Sequence, residues 1–331
     1  MTLVLAGDIG GTKTNLALFR GPVERLTMEE CRTYPSHTAA TPLALIDRFL
    51  AEAGRPALAG ACLGIAGPVV NGTATATNLP WTVSEREIAA HCGLARVSLI
   101  NDLVATAAAV PLLPGDRLFA LNDLPFPGPG NIGLIAAGTG LGEALLVQHG
   151  QRYLPCPSEG GHQDFAPQTE REFRLRQHLA GHYGHVSLER LLSGPGLAGI
   201  YHFLRRESRQ PEPAFLGDRL REEDPGAVVA EAGLAMSDPL CAEALTLFCG
   251  LYGAAAGNLA LVGLTTGGIC LGGGIAPKIA PALAKGAFME SFLAKGRLSP
   301  LLARIPVRII MDSQAALWGA AAHLLHAPQL D

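Results

Sequence analysis

The sequence lacks a strong net charge, and it lacks any Cys-x-x-Cys pair. Its 25 basic and 29 acidic side chains leave a formal charge of -4. Such a chain has no general field that would attract nucleic acid or an anionic membrane, so we expect small-molecule partners. The seven cysteines are scattered along the chain, and their odd number is typical of free thiols in a reducing cytoplasm.

The chain also shows no signal peptide, because the few apolar residues at its start meet Asp8 at once. Residues 244–277 carry no charge, and a run of that length can span a bilayer. However, glycines interrupt the run, Asn258 lies within it, and no basic or aromatic flank marks a membrane interface. We therefore expect a buried helix followed by a buried strand, in a cytoplasmic protein.

At 331 residues the chain is too long for one small core, and two domains are expected. The stretch 111–130 is rich in proline and glycine, which favours a crossing between domains near its start. The closing apolar helix at 314–325 can return to the first domain. We thus predict a smaller α/β domain at 1–111 plus 313–331, and a larger one at 112–312 with a helical insert around 201–243.

Residues 6–14 (Ala-Gly-Asp-Ile-Gly-Gly-Thr-Lys-Thr) lie between two strand-like apolar runs and predict the tip of a β-hairpin. The glycines can supply the positive φ angles of a tight turn, and they let an anion approach backbone N–H groups. A carboxylate repels phosphate unless a cation separates them, so Asp8 indicates Mg²⁺ held through water. The predicted nucleotide-binding residues here are Gly7, Asp8, Ile9, Gly10, Gly11 and Thr12.

The same segment nearly matches the Walker A pattern G-x-x-x-x-G-K-S/T. Thr12 stands where the second glycine is required, and the next residues alternate like a strand instead of opening a helix. We therefore reject a P-loop. An ordinary glycine-rich hairpin that binds no ligand stays open as an alternative.

A second strand–turn–strand pattern occupies residues 132–147, with Gly138, Thr139 and Gly140 in its turn. It predicts a second phosphate-binding hairpin. The spacing G-x-G-x-G and the following strand exclude the Rossmann fingerprint, which requires a helix. Further along, Gly273 and Gly274 follow a buried strand, in a turn that can lie against the base or sugar of a nucleotide.

Several polar side chains are candidates for chemistry, each with a structural alternative. Asn101 and Asp102 follow the buried strand at 97–100, the end at which open α/β sheets bind ligands, although Asp102 could simply cap the next helix. Glu159 and His162 flank two glycines in a loop that could be an ordinary polar turn. Glu189 could complement the dipole of a helix starting at Ser187.

Together these segments resemble the bacterial-type glucokinases of the sugar kinase, actin and heat-shock ATPase superfamily. The resemblance implies two actin-like ATPase (ribonuclease H-like) α/β domains with mixed sheets and a hinged interdomain cleft. It implies ATP phosphates held by the two hairpins, glucose in the cleft, and a homodimer. The matching motifs, in order along nearly the whole chain, are Gly-Asp-Ile-Gly-Gly-Thr at 7–12, Leu-Ile-Asn-Asp at 99–102, Gly-Thr-Gly-Leu-Gly at 138–142, Ser-Glu-Gly-Gly-His at 158–162, Glu189 with Leu-Ser-Gly-Pro-Gly at 192–196, and Leu-Gly-Gly-Gly-Ile at 271–275.

Carried onto this sequence, the resemblance makes Asp102 the general base on the 6-hydroxyl of glucose during transfer of the γ-phosphoryl group of ATP. The product is glucose 6-phosphate. The implied sugar ligands are Asn101, Asp102, Glu159, His162 and Glu189, with Asn78 as a further candidate. The related ROK kinases carry a Cys-x-Cys-Gly-x-x-Gly-Cys zinc cluster that this sequence lacks, and Cys156 with His162 cannot complete a tetrahedral site, so no zinc is expected.

Other functions stay open at this point. The chain could phosphorylate another hexose, or use polyphosphate or ADP as the donor. A sugar-sensing regulator needs a DNA-binding head, and the strand starting at Leu3 leaves no room for one before it. An actin-like or chaperone ATPase would share the nucleotide motifs, but it would have no use for the sugar-binding set.

Overall fold

The computed structural model describes residues 2–75 and 79–326. Its strands are β1 (Leu3–Ile9), β2 (Lys13–Arg20), β3 (Thr27–Pro35), β4 (Gly60–Ile65), β5 (Val69–Val70), β6 (Thr73–Thr75), β7 (Thr82–Ser84), β8 (Val97–Asn101), β9 (Leu118–Ala120), β10 (Ile132–Ala137), β11 (Leu141–His149), β12 (Arg152–Ser158), β13 (Gly268–Gly272) and β14 (Val307–Ile310). Its helices are α1 (Pro42–Glu52), α2 (Glu85–Cys92), α3 (Asp102–Ala109), α4 (Glu170–Tyr183), α5 (Gly194–Ser208), α6 (Ala214–Glu222), α7 (Pro225–Leu234), α8 (Pro239–Val262), α9 (Ala280–Leu283), α10 (Ala287–Leu293), α11 (Ser299–Leu302) and α12 (Ala315–His326).

The chain divides into two compact units. The first contains the residues up to Pro114, the segment Arg152–Pro157 and the residues from Asp312 onward. The second contains Gly115–Gln151 and Ser158–Met311. Each unit is a mixed α/β fold built on one main sheet, so the predicted α/β class with mixed sheets is confirmed.

The main sheet of the first unit has the strand order β3-β2-β1-β4-β8. β1 pairs antiparallel with β2 and parallel with β4, and β4 pairs parallel with β8. Because side chains alternate along a strand, Leu5 of β1 packs with Phe49 of α1 on one face, while Ala6 packs with Leu317 of α12 on the other. The sheet is thus covered by helices on both faces.

Helix α12 closes this unit by packing against α3. The approach depends on Gly319, since a Cβ at that position would overlap the carbonyl oxygen of Ala105. Two backbones can come this close only where one side chain is missing. The late apolar helix predicted from the sequence therefore returns to the first unit, as expected.

Within the second unit the sheet order is β11-β10-β13-β14-β9. β10 pairs antiparallel with β11 and parallel with β13, which repeats the arrangement of β1 with β2 and β4. The core behind this sheet contains α8, whose Tyr252 hydroxyl donates to the carbonyl oxygen of Ile135 at 3.0 Å. Both predicted hairpins therefore occupy equivalent places in their sheets.

Helix α8 is long and apolar enough, by length and composition, to cross a membrane. Most of its apolar stretch is nevertheless buried inside the second unit, where α5, α7 and α10 pack against it. The buried strand β13 follows it. A helix that is apolar on all sides and surrounded by other helices is typical of a protein core, and the predicted buried helix followed by a buried strand is confirmed.

Candidate active site

The first predicted hairpin forms as expected, with β1 and β2 joined by the turn at 10–12. The N–H of Gly10 donates to the carbonyl of Lys13 at 3.0 Å, and Ser36 binds the turn through its hydroxyl, which donates to the carbonyl of Gly10 at 2.8 Å. The prediction that glycines supply positive φ angles in this turn is wrong, since neither Gly10 nor Gly11 adopts one. The turn closes with ordinary backbone angles instead, and Ser36 helps to hold its shape.

Asp8 lies on β1 opposite Asn15 of β2. The amide of Asn15 donates to Asp8 Oδ2 at 3.1 Å and accepts from the Thr33 hydroxyl at 2.8 Å, so Asn15, itself held by Thr33, orients the carboxylate. Burial raises the pKa of Asp8, the Asn15 hydrogen bond opposes that rise, and repulsion from Asp102 adds to it. Because the two carboxylates repel each other, a cation bound nearby would stabilise the ionised form of both.

Asp102 stands at the junction of β8 and α3, at the carboxyl edge of the parallel strands β1, β4 and β8. Gly64 of β4 lies beside it and opposite Asp8, and because Gly64 has no side chain the start of α3 can pack close to β4. Burial raises the pKa of Asp102, and a hydrogen bond from the N–H of Leu103 to Oδ1 at 2.9 Å lowers it. A raised pKa makes this carboxylate a better proton acceptor.

The helix cap at this junction is Asn101. Its Oδ1 accepts from the N–H groups of Leu103 at 3.0 Å and Val104 at 3.3 Å. Its Nδ2 donates to the carbonyl of Gly67 at 3.1 Å. Asn101 is thus the N-cap, and Asp102 shares only the N–H of Leu103 with it. The second amide hydrogen of Asn101 is the group that can meet a ligand.

The second predicted hairpin also forms, with β10 and β11 joined at Gly138, Thr139 and Gly140. The carbonyl of Gly138 accepts from the N–H of Gly194 at 2.9 Å, so the turn sits at the start of α5. Gly273, which follows β13, adopts φ +78°. A Cβ at this position would overlap the carbonyl oxygen of Ala137, the last residue of β10. Glycine is therefore required at 273 both for its backbone angle and for its close approach.

A cavity of about 310 Å³ lies in the second unit between these segments. It brings together three predicted nucleotide-binding residues, Gly138, Thr139 and Gly274. The N-terminal ends of α5 and α7 also line it, and helix N-termini favour anions. The full lining is Gly138, Thr139, Gly194, Pro195, Leu197, Asp224, Gly226, Ala227, Ala230, Gly274, Ile275, Lys278 and Ile279.

The two charged residues in this lining, Asp224 and Lys278, were missed by sequence reasoning. Asp224 is the N-cap of α7 and accepts from the N–H of Gly226 at 2.9 Å. The pair Asp224-Pro225 is a helix-start signal in the sequence, but it falls in the stretch interpreted as a surface insert. Nothing in the local sequence marks Lys278, because its place beside the cavity comes from the turn that follows β13.

Glu159 and His162 lie at the 3₁₀ turn Gly160–His162, directly after β12. Both side chains are exposed, and His162 Nε2 lies 4.0 Å from Glu159 Oε2. The turn sits tightly on β11, because a Cβ at Gly161 would overlap the carbonyl oxygen of Leu141. Strand β11 thus holds the backbone of the turn in place, while the side chains of Glu159 and His162 extend into solvent.

Glu189 belongs to the 3₁₀ turn Leu188–Arg190, whose N-cap is Ser187 as predicted, but the predicted helix is only this one turn. The 3₁₀ helix ends after one turn. The Ser193 hydroxyl donates to the carbonyl of Glu189 at 2.7 Å, and α5 begins at the next residue, Gly194. The Glu189 carboxylate accepts from the N–H of Leu141 at 3.0 Å. One of its oxygens therefore anchors it to β11 beside Gly140, and the other can accept from a ligand.

The structure thus gathers the predicted residues in two groups. Asp8, Asn101 and Asp102 lie together in the first unit. Glu159, His162 and Glu189 lie around the start of β11 in the second unit, next to the turn at 138–140. Asn78 lies outside the described residues. Within residues 2–75 and 79–326, no three His, Cys, Asp or Glu side chains are grouped so that they could hold a metal ion by themselves.

Comparisons with known proteins identify the family of the chain. The family model described as Glucokinase matches residues 5–327. The chain is 42% identical to the glucokinase of Nostoc sp. over 340 residues, which covers 97% of this chain and 98% of that protein. It is 37% identical to the glucokinase of Chromobacterium violaceum, covering 99% and 91%. Its structure is similar to that of a glucokinase from an Antarctic psychrotroph, with a TM-score of 0.87, 30% identity, and coverage of 98% and 99%. The chain therefore belongs to the glucokinase family.

Proposed function

We propose that this chain transfers the γ-phosphoryl group of ATP to the 6-hydroxyl of D-glucose, and that Asp102 is its general base. Family membership over nearly the whole chain supports the reaction. The observation that carries the residue assignment is the half-buried carboxylate of Asp102 at the carboxyl edge of three parallel strands, where Asn101 is the N-cap of α3.

Asp102 removes the hydroxyl proton as the phosphoryl group moves. Its Oδ1 is oriented by the N–H of Leu103, which leaves Oδ2 to accept the proton. Burial raises its pKa, so the proton is taken up more readily than by an exposed aspartate. A positioned base of this kind contributes about 10²–10⁴ in rate.

Mg²⁺ is the cation that we propose near Asp8, held through water. A lone carboxylate fits this ion, because magnesium keeps several waters and takes its other ligands from the phosphates. The hydrogen bond from Asn15 fixes the carboxylate that would receive those waters. When bound, the ion neutralises phosphate charge.

ATP binds, in this proposal, through Gly7, Ile9, Gly10, Gly11 and Thr12 of the first hairpin and through the cavity of the second unit. The glycine turns admit phosphate close to backbone N–H groups, and the starts of α5 and α7 add the favourable ends of two helices. Gly273 and Gly274 face the nucleoside. A ROK family glucokinase from Streptomyces griseus, similar in fold with a TM-score of 0.64, was solved with glucose and AMPPNP.

Glucose is held by side chains whose spare hydrogen-bonding capacity suits a ring of hydroxyls. Asn101 offers one N–H, Glu189 offers a carboxylate oxygen, and Glu159 and His162 are exposed to receive a ligand. Asn78 stays a prediction. A glucokinase from Balamuthia mandrillaris, similar in fold with a TM-score of 0.79, was solved in complex with glucose.

The assignment is tested by measuring glucose 6-phosphate with ATP, Mg²⁺ and glucose, and by repeating the assay with mannose, fructose and N-acetylglucosamine, and with ADP or polyphosphate as donor. We expect turnover with glucose and ATP, and at least about a hundredfold loss for Asp102→Ala. Asp116→Ala, at an exposed position, is the matched control and should keep full activity. No turnover with glucose and any donor would overturn the proposal.

Three further parts of the proposal come from the family resemblance and from composition. All seven cysteines are free thiols, which suits a reducing cytoplasm. The homodimer stays a prediction that sedimentation of the purified protein checks. The expectation that no zinc is bound also stays a prediction, and metal analysis of the same sample tests it.

A further inference from the structure

Glu143 lies near the start of β11, with its carboxylate against the turn that carries Glu159 and His162. The residue is 2% exposed. Its Oε2 accepts from Gln163 Nε2 at 3.3 Å. A Cβ at Gly160 would overlap the same oxygen, so the carboxylate touches the backbone of the turn directly. A side chain on the strand thereby supports the turn from behind.

Gln163 extends this contact to the second sugar-binding turn. Its N–H donates to the carbonyl of Gly160 at 3.1 Å, and its carbonyl accepts from the N–H of Leu188 at 2.9 Å. Leu188 begins the turn that holds Glu189, and Glu189 in turn accepts from the N–H of Leu141 on β11. Strand β11 and the two turns are therefore joined in a closed ring of hydrogen bonds.

The carboxylate is costly where it stands. Among the ion pairs of residues 2–75 and 79–326, none includes Glu143, and the nearby Tyr252 hydroxyl donates to Ile135 instead. Burial raises the pKa of Glu143 to about 7. A well-packed apolar side chain usually fills a buried position at less cost in stability than a carboxyl group without an ion-pair partner. Stability alone therefore does not explain why a glutamate stands at position 143.

We propose that Glu143 is a positioning residue that holds the turn Gly160–His162, and through Gln163 the turn Leu188–Arg190, in the geometry that binds glucose. The inference rests on the proposed function, because it concerns the glucose-binding side chains. It assigns no contact between Glu143 and substrate. Loss of the acceptor should therefore affect the affinity for the sugar far more than the affinity for the nucleotide.

The test compares steady-state parameters of four variants. Glu143→Ala removes the acceptor and should raise KM for glucose about tenfold, with KM for ATP within about twofold. Glu143→Gln keeps an oxygen in place to accept from Gln163, so it should restore most of the glucose affinity. Gln163→Ala removes the donor from an exposed residue and should act in the same direction as Glu143→Ala. Glu222→Ala, exposed at the end of α6, is the matched control.

The double variant Glu143→Ala/Gln163→Ala separates a shared contact from two unrelated effects. If both side chains act through one hydrogen bond, its glucose KM should be close to that of the worse single variant instead of the product of the two changes. Circular dichroism confirms that each variant is folded. If Glu143→Ala does not fold, Gln163→Ala decides the matter alone.

The inference is overturned if the folded variants keep a glucose KM within about twofold of the wild type, or if the KM values for glucose and ATP rise together. These outcomes leave the proposed function standing, because wild-type turnover and the loss in Asp102→Ala remain. Absence of glucose phosphorylation by the wild type, in contrast, removes both the proposed function and this inference.

Discussion

Glu143→Gln should change how the stability of the protein depends on pH. The substitution keeps the shape of the side chain and its acceptor oxygen, but it removes the titration. Burial raises the pKa of Glu143 from its ordinary value of 4.5 to about 7. The difference between these two pKa values corresponds to about 3 kcal/mol of free energy of unfolding, at about 1.4 kcal/mol for each pH unit.

The direction follows from proton binding. Below pH 4.5 the carboxyl group is protonated in the folded and unfolded states, so it costs nothing. Between pH 4.5 and 7 the unfolded chain loses the proton while the folded protein keeps it, and the stability falls as the pH rises. Above pH 7 both states are ionised, and the wild type bears the full cost of a buried charge.

Urea unfolding at pH 5, 6, 7 and 8 measures the effect. The difference in free energy of unfolding between Glu143→Gln and the wild type should grow by about 2–3 kcal/mol from pH 5 to pH 8, in favour of the variant. Taking the difference cancels the other titrating groups. Glu290→Gln, at an exposed position, should give a difference that does not change with pH. A flat difference for Glu143→Gln would refute the reasoning, because it would mean that the carboxyl group titrates alike in both states.

Three other outcomes are expected from the structure. Thr265 is fully buried and its hydroxyl has no hydrogen-bond partner among the described residues, so Thr265→Val should leave the protein as stable or stabilise it by about 1 kcal/mol, as thermal unfolding would show. Gly319→Ala should destabilise the folded protein by more than about 1 kcal/mol, because the new Cβ would overlap the Ala105 carbonyl oxygen. Gly181→Ala, where a Cβ on α4 meets no other atom, should instead stabilise the protein by up to about 1 kcal/mol. Equal melting temperatures of the two variants would contradict this prediction. Because burial raises the pKa of Asp102, kcat should fall on the acid side starting above the pH at which an ordinary aspartate protonates, and a profile flat down to pH 4 would contradict the assignment.

The hairpins could be predicted from the sequence because their signal is local. Strand-like apolar runs flank each glycine turn, and β1 with β2 and β10 with β11 form where that pattern occurs. The uncharged stretch at 244–277 likewise predicted α8 and β13. The turn angles at Gly10 and Gly11 could not be predicted the same way, since Ser36, far along the chain, helps to set the shape of that turn.

The candidate site was only partly visible for the same reason. The end of a strand pointed to Asn101 and Asp102, but only the structure shows that Asn101 accepts from the N–H groups of both Leu103 and Val104 while Asp102 accepts from Leu103. Glu143 sits in an apolar strand, and its significance comes from the turn folded against it. Lys278 lines the cavity because of the turn that follows β13, and no short sequence motif predicts the path of that turn.

The most direct test of the central claim measures chemistry and sugar binding separately in Asp102→Asn. This variant keeps the size of the side chain and removes its basicity. With ATP, Mg²⁺ and saturating glucose, the rate of glucose 6-phosphate formation should fall at least about a hundredfold, while the Kd for glucose from calorimetry stays within about tenfold of the wild type. A variant that still forms the product at most of the wild-type rate would contradict the account.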